Sequence, residues 1–196
     1  MKGNSSKNIK AAITAVGGFV PNDFISNQDL EKVLDTTDEW ITTRTGIKKR
    51  RILKGEGKGT SYLAIKAAED IITKRNIDPN TIDLVIVATI TPDYKGAATA
   101  PSVASAIKAN NAYAFDLSAA CSGFLYGMST ATSYIESGRY KKVLLIGADK
   151  MSSVVDYTKR ETSILFGDGA GAVLVEPSKN EFGWEDEYLR LSLIHI

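Results

Sequence analysis

The chain has 196 residues, of which 43% are hydrophobic, and its 24 Lys and Arg against 23 Asp and Glu give a formal net charge of +1. These values are typical of a globular chain of one domain or slightly more, and the balanced charge argues against a nucleic-acid partner. No stretch approaches the roughly 18 apolar residues of a membrane span. A single cysteine and a single histidine argue against a disulfide framework and a metal cluster.

The opening residues, MKGNSSKNIK, contain no apolar segment of the kind found in secretory signals. One cysteine also fits a reducing compartment, where disulfides are rare. We therefore expect a cytoplasmic protein that uses neither a membrane nor a metal.

The first part of the chain predicts short elements of both kinds. The expected segments are a strand over 9–16 that ends at Gly17-Gly18, a helix capped by Asn27, a second short helix begun by Thr36 or Thr37, and a basic strand over 47–53. Asp38 and Glu39 fall in the first turn of the second helix, where negative charge is favourable. Trp40 and Arg44 are four residues apart and therefore share one face of that helix.

The rest of the chain alternates helices and strands. The expected helices begin near residue 60, cover 97–109 and follow residue 121, and the expected strands are 82–90, 113–117, 142–148, 163–166 and 173–176. The strand over 82–90 is a largely β-branched run, the pattern of a strand buried on both faces of a parallel sheet. The alternation predicts an α/β fold with a largely parallel sheet covered on both faces.

The only cysteine, Cys121, lies between a predicted strand and a predicted helix. Small residues, Ser118 to Ala120, separate it from the strand, so we expect the cysteine in the first turn of the helix. Unpaired N–H groups and the helix dipole favour a thiolate there, and the thiolate is the nucleophilic form. The alternative is that Cys121 is a small buried apolar residue, which is the commoner role of a lone cysteine.

The glycine-rich run GDGAGA, Gly167 to Ala172, is superficially similar to a dinucleotide-binding loop. The residues after it, Val173 to Val175, favour a strand, whereas a phosphate-binding loop needs a helix at that point. We therefore expect the glycines to allow close backbone packing beneath an active site, with Asp168 holding the turn.

Two further side chains have either a structural or a binding interpretation. Trp40 is either a core aromatic or a half-exposed ring that offers a stacking face to an adenine. Arg160, in a polar connection, is either a solvated charge or the second side of that stack, since guanidinium groups stack on aromatic rings.

His195 is not accepted as a catalytic partner of Cys121. It lies in LSLIHI, residues 191–196, which matches the translation of a common sequencing adapter. We expect residues 1–190 to form the natural part of the chain and residues 191–196 to be a non-native tail.

Five ordered motifs give the chain a family resemblance over about residues 9–190. They are DTTDEWITTRTGIKKR (35–50), IVATITPDY (86–94), AFDLSAACSGFLYG (114–127), SYIESGRYKKVLLIGAD (133–149) and LFGDGAGAVL (165–174). The chain resembles β-ketoacyl-acyl-carrier-protein synthase III, a condensing enzyme of the thiolase-like superfamily. The resemblance implies the N-terminal half of a five-layered α-β-α-β-α sandwich with a mixed, mostly parallel sheet, the second half being absent.

The resemblance also implies roles for four residues. Cys121 would accept the acyl group, Trp40 and Arg160 would clasp the adenine of coenzyme A, and Thr36 would line the same site. Glu161 departs from the glycine that often follows the arginine in this family. We infer nothing about the length of the acyl substrate from Ala100.

The implied reaction has two stages and needs no metal or redox cofactor. Cys121 takes an acyl group from a short acyl-CoA, expected to be acetyl-CoA, and malonyl-acyl-carrier protein then condenses with it after decarboxylation. The family's histidine and asparagine for that second stage lie in its second half, and the full-length enzyme is expected to be a homodimer.

The alternatives are another thiolase-like condensing enzyme of secondary metabolism, an inactive half-domain, and a nucleotide-binding α/β domain with a structural cysteine.

Overall fold

The computed structural model describes residues 9–180 and 182–189. Seven strands lie in these ranges. They are β1 (Ala11–Phe19), β2 (Phe24–Ser26), β3 (Lys49–Arg51), β4 (Leu84–Ala88), β5 (Tyr113–Leu117), β6 (Val143–Lys150) and β7 (Asp168–Pro177). The large sheet has the order β1-β7-β6-β4-β5, and β2 pairs with β3 in a separate ribbon.

Four of the five strands of the large sheet run in one direction. β4 pairs in parallel with both β5 and β6, whereas β7 is antiparallel to its neighbours β6 and β1. The expected mixed and mostly parallel sheet is therefore confirmed.

Six helices are described, and the long ones cover both faces of the large sheet. They are α1 (Asn27–Glu31), α2 (Asp38–Thr45), α3 (Thr60–Arg75), α4 (Thr99–Ala106), α5 (Gly123–Glu136) and α6 (Arg160–Ser163). Helices α3 and α4 pack on one face and α5 packs on the other. This α/β layering agrees with the expectation from the sequence.

Alternation along the central strands creates the two cores. Val85 and Val87 of β4 point to the α3 and α4 side, whereas Leu84 and Ile86 point to the α5 side, because successive strand residues face opposite ways. All five residues of β4 are buried, as the continuous apolar run predicts. A third, smaller cluster, around Ile41, holds α1, α2 and the residues after α6 together.

Two expectations about the ends of elements were wrong. β1 does not end at Gly17-Gly18 but continues to Phe19, and Gly17 pairs with Ala172 and Gly18 with Gly171. Residues 167–172 are not a turn, since β7 already begins at Asp168. At Gly17 the missing side chain allows α3 to approach β1 closely, since an added Cβ would stand 2.7 Å from the Ala67 carbonyl oxygen.

Two further expectations, one about a helix cap and one about a strand, also need correction. Asn27 is not the cap of α1: Ser26 is the cap, with Asp29 completing a capping box, and Asn27 is fully buried. The predicted strand over 163–166 is absent, because residues 160–163 form α6 and the chain turns after it.

Within the described residues, no helix is long and apolar enough to cross a membrane. The tail predicted to be non-native, residues 191–196 with His195, lies outside those residues.

Candidate active site

Cys121 lies between the end of β5 and the start of α5, in a 3₁₀ turn over Ala120–Ser122. It is therefore one turn before the α-helix rather than inside its first turn. Its side chain is exposed, which removes the alternative of a buried structural cysteine. Ala120 adopts a positive φ of 47°, which turns the chain sharply just before the thiol.

The thiol faces an open cavity of about 490 Å³. One wall comes from the ends of β4 and β6 through Ala88 and Gly147–Asp149, and another comes from the start of β7 through Gly169–Gly171. Phe124 of α5 lies against Gly147, where an added Cβ would come within 3.1 Å of the ring. The cavity thus lies at the carboxyl ends of the parallel strands, where open α/β sheets bind ligands.

The glycine-rich strand is held in place by Asp168, which is almost fully buried. Its carboxylate accepts hydrogen bonds from the backbone N–H of Leu53 at 2.7 Å and from both the N–H and the hydroxyl of Ser152 at 2.7 Å. Gly167, just before it, lies so close to β3 that a Cβ would stand 2.9 Å from the Arg51 carbonyl oxygen. The expected close packing beneath the cysteine is present, although in a strand rather than a turn.

Asp149 is a carboxylate in the lining of this cavity that sequence reasoning missed. One of its oxygens accepts hydrogen bonds from the hydroxyls of Thr89 and Thr91 and from the backbone N–H groups of Ile90 and Thr91, at 2.9 to 3.2 Å. These bonds hold the connection after β4 against the end of β6. The sequence signal that could have identified Asp149 is a carboxylate at the end of a predicted parallel strand.

Trp40 and Arg160 lie together, although 120 residues separate them in the sequence. The Arg160 guanidinium carbon is 4.9 Å from the centroid of the half-buried Trp40 ring, and Arg160 donates a hydrogen bond to the Asp35 carbonyl at 3.1 Å. Arg44 contributes a second cation at 5.3 Å from the same ring. We call Trp40, Arg44 and Arg160 the aromatic clasp.

Thr36, the fourth predicted residue, immediately precedes the Thr37 cap of α2. Its hydroxyl oxygen is buried and has no hydrogen-bond partner within the described ranges. Asp38, in the first turn of the same helix, has a pKa below its ordinary value, chiefly because the Asn27 amide donates to its carboxylate. The start of α2 is therefore anchored beside the clasp.

Chemically, the site offers a reachable thiol in a cavity and a cationic aromatic surface. Among residues 9–180 and 182–189, no group of three or more His, Cys, Asp or Glu could hold a metal ion. A larger cavity of about 700 Å³ lies at the opposite end of the sheet, beside Asp83, Lys142 and Glu176, and contains none of the predicted residues.

Comparison with known proteins finds a consistent set of relatives. The family model described as 3-oxoacyl-[acyl-carrier-protein] synthase III matches residues 115–190. The β-ketoacyl-[acyl-carrier-protein] synthase III of Chlorobium chlorochromatii is 58% identical over 173 residues, covering 88% of this chain and 53% of the relative. A Bacteroides thetaiotaomicron synthase III is 53% identical over 182 residues, covering 93% and 54%.

Solved structures give the same result. The Aquifex aeolicus 3-oxoacyl-[acyl-carrier-protein] synthase III has a TM-score of 0.82 at 48% identity, covering 88% of this chain and 55% of that one. The priming β-ketosynthase of the R1128 polyketide pathway has a TM-score of 0.83 at 37% identity, covering 87% and 51%. The chain therefore spans about half the length of the relatives it matches.

Proposed function

The chain belongs to the β-ketoacyl-[acyl-carrier-protein] synthase III family, and from that premise we propose that the protein is an acyltransferase of fatty-acid initiation. Cys121 accepts the acyl group of a short acyl-CoA, with acetyl-CoA as the expected donor. The observation that carries the proposal is the exposed Cys121 thiol, which faces an open cavity at the carboxyl ends of the parallel strands.

The first stage follows from the position of the thiol. The Cys121 thiolate attacks the thioester carbonyl, a new carbon–sulfur bond forms, and the coenzyme A thiolate leaves with the electron pair of the broken bond. The tetrahedral oxyanion requires N–H donors close to the sulfur, and the backbone N–H of Cys121 is the proposed donor. The aromatic clasp holds the adenine on Trp40, with Arg160 on the ring and Thr36 lining the same site.

The second stage is condensation with malonyl-acyl-carrier protein. Loss of carbon dioxide leaves an enolate, whose carbon attacks the acyl-cysteine and releases Cys121 with a β-ketoacyl-carrier protein as product. The histidine and asparagine that the family uses for this stage are assigned to its second half, so we propose that the 196-residue chain acylates without condensing. A cytoplasmic location, consistent with a single unpaired cysteine, is part of the same proposal.

Acylation is tested by incubating the protein with acetyl-CoA and measuring its intact mass. We expect one acetyl group on the wild type, removed by hydroxylamine as a thioester, and none on Cys121→Ala. Malonyl-acyl-carrier protein added afterwards should give no β-ketoacyl product with this chain. Equal labelling of Cys121→Ala would contradict the proposed nucleophile and favour a nucleotide-binding domain.

A second candidate is a condensing enzyme of secondary metabolism. It is favoured by the 37% identity to a priming ketosynthase of a polyketide pathway. The two functions differ in the acyl donor, so a panel of acyl-CoA thioesters of increasing length separates them. Faster acylation by a longer or branched donor than by acetyl-CoA would support the second candidate.

A further inference from the structure

A buried arginine lies between the aromatic clasp and the cysteine cavity. Arg50 of β3 is 2% exposed, and its guanidinium forms no ion pair within the described part of the chain. Burying a charge without a counter-ion costs free energy unless its donors are used. All of the hydrogen bonds described for Arg50 go to neutral oxygen atoms. The buried charge is therefore stabilised by these acceptors.

Arg50 bonds directly to the residue that ends α6, and it reaches α2 through Asn27. Its Nε donates to the Ile164 carbonyl at 2.8 Å, and one terminal nitrogen donates to the same oxygen. Ile164 is the C-cap of α6, which begins at Arg160. Because α6 has only four residues, this carbonyl fixes the position of the whole helix.

The other terminal nitrogen of Arg50 donates to the Asn27 side-chain oxygen at 2.5 Å. The Asn27 amide in turn donates to Asp38 at 2.6 Å and to the Ile47 carbonyl at 2.8 Å. Asp38 lies in the first turn of α2, two residues before Trp40. One planar guanidinium therefore joins the helix that carries the ring to the helix that carries the cation above it.

Arg50 also lies directly against the strand beneath the cysteine. A Cβ added to Gly167 would stand 3.2 Å from the Arg50 Cβ, and Gly167 lines the Cys121 cavity. Tyr157, which packs on the same cluster as Trp40, has a buried hydroxyl without a described partner, and its burial raises its pKa above the ordinary value. Gly167 thus packs closely against Arg50, and Tyr157, which is partly buried, packs against the neighbouring Ile41 cluster.

We propose that Arg50 is the positioning residue of the aromatic clasp: it sets the separation of α2 and α6, and thereby holds the Arg160 guanidinium over the Trp40 ring for coenzyme A. This inference rests on the proposed function and extends it to a residue that does not touch the ligand. A lysine cannot replace Arg50, since one ammonium does not reproduce the planar fork that reaches two acceptors.

The test compares Arg50→Lys and Arg50→Met with the wild type, all carrying Trp184→Phe so that Trp40 is the only tryptophan. Coenzyme A is titrated against Trp40 fluorescence, and Cys121 alkylation by iodoacetamide is timed on the same samples. Arg75→Met is the matched control, because Arg75 also donates to a backbone carbonyl, that of Thr14, but at the other end of the sheet.

We expect Arg50→Lys to weaken coenzyme A binding about tenfold, a factor that corresponds to about 1.4 kcal/mol, while its alkylation rate and that of Arg75→Met stay at the wild-type value. Arg50→Met should lose more coenzyme A affinity than Arg50→Lys. If Arg50→Met does not fold, the affinity of Arg50→Lys alone tests the inference. Wild-type affinity in a folded Arg50→Lys protein would overturn the inference.

A double-mutant cycle with Arg160→Ala separates positioning from a general loss of stability. If Arg50 acts through the clasp, Arg50→Lys costs less affinity when Arg160 is already alanine. An undiminished loss in that background would count against the positioning role. If the wild type binds no coenzyme A, the proposed function fails, and acrylamide quenching of Trp40 decides the inference: stronger quenching in Arg50→Lys supports it, and equal quenching overturns it.

Discussion

At the scale of single residues, the site depends on side chains that the sequence separates widely. Cys121 is exposed because the turn before α5 projects it over the ends of β4 and β6. Trp40 is half-buried and packs against the Ile41 cluster. The cations Arg44 and Arg160 lie close to its ring. The proposed roles of both residues therefore need the surrounding elements to be in place.

Replacing Arg160 tests the clasp directly. Arg160→Ala should weaken coenzyme A binding about tenfold, since a partly desolvated cation–π contact contributes about 1 to 2 kcal/mol. Arg160→Lys should recover only part of that loss, because an ammonium does not stack. Titration calorimetry gives the dissociation constants.

The matched control is Arg139→Ala, because Arg139 lies 5.7 Å from the Tyr140 ring, away from the clasp. It should leave coenzyme A affinity unchanged. An equal loss in both variants would mean that removing any surface arginine is enough, and the clasp would not be responsible.

Asp38 gives the stability of the protein a defined pH dependence. Its folded pKa lies below the ordinary value of 3.8, first because of the hydrogen bond from Asn27. A lowered carboxyl pKa contributes stability that is present above the ordinary value and is lost as pH falls through the folded pKa. The melting temperature of the wild type should therefore exceed that of Asp38→Asn above about pH 4.

That difference should shrink as the pH is lowered further, because the wild-type carboxyl becomes protonated. Thermal unfolding followed by circular dichroism between neutral pH and about pH 2 provides the measurement. A difference that stays constant over the whole range would show that Asp38 contributes only as a neutral hydrogen-bond partner.

At the scale of elements, glycine sets how closely helices approach the sheet. An alanine Cβ at Gly17 of β1 would stand 2.7 Å from both the Ala67 carbonyl oxygen and the Ile71 side chain of α3. The same atom at Gly127 of α5 would stand 2.5 Å from Leu145 of β6. Both helix layers therefore touch the sheet at points where no other residue fits.

Gly17→Ala and Gly18→Ala form a matched pair. The first should destabilise the protein by about 1 to 3 kcal/mol, the usual cost of forcing an extra carbon into a packed interior. The second should be close to neutral, because its Cβ would lie 3.4 Å from the Ala170 carbonyl oxygen. Urea unfolding of both variants measures the free energies, and equal values would contradict the close approach of α3.

At the scale of the whole molecule, β5 forms one edge of the large sheet. Tyr113 donates to Asp83 and Leu117 accepts from Thr89, so the odd-numbered residues of β5 bond towards β4. The N–H groups of Ala114 and Asp116 consequently point away from the sheet. An unpaired strand edge is a template for pairing with another chain, and we propose that the protein forms a homodimer through this edge.

Ala114→Pro tests that arrangement, since proline removes an outward donor and leaves the bonds to β4 intact. We expect the wild type to sediment as a dimer and the variant as a monomer at the same concentration, and a monomeric wild type would contradict the proposal. An unchanged circular dichroism spectrum would establish that the sheet itself survives. A variant that remains dimeric would place the contact between copies on another surface.

Sequence patterns predicted a large part of this fold, because local signals and burial agreed there. The apolar run of β4 reflects its burial on both faces, and the thiolase-like α/β class followed from the order of the motifs. The predicted strand over 163–166 failed because residues 160–163 form α6, and the Ile164 carbonyl that follows accepts hydrogen bonds from Arg50, a partner more than 100 positions away.

By itself, the sequence determined the fold class, the family and the candidate residues, because each of these depends on residue types and their order along the chain. Only the tertiary structure decided which of those residues meet. It brought Arg160 onto Trp40, placed Asp149 and the β7 glycines around Cys121, and buried Arg50 between them. Such contacts depend on how elements that are distant in the sequence pack together, and a local sequence pattern does not specify that packing.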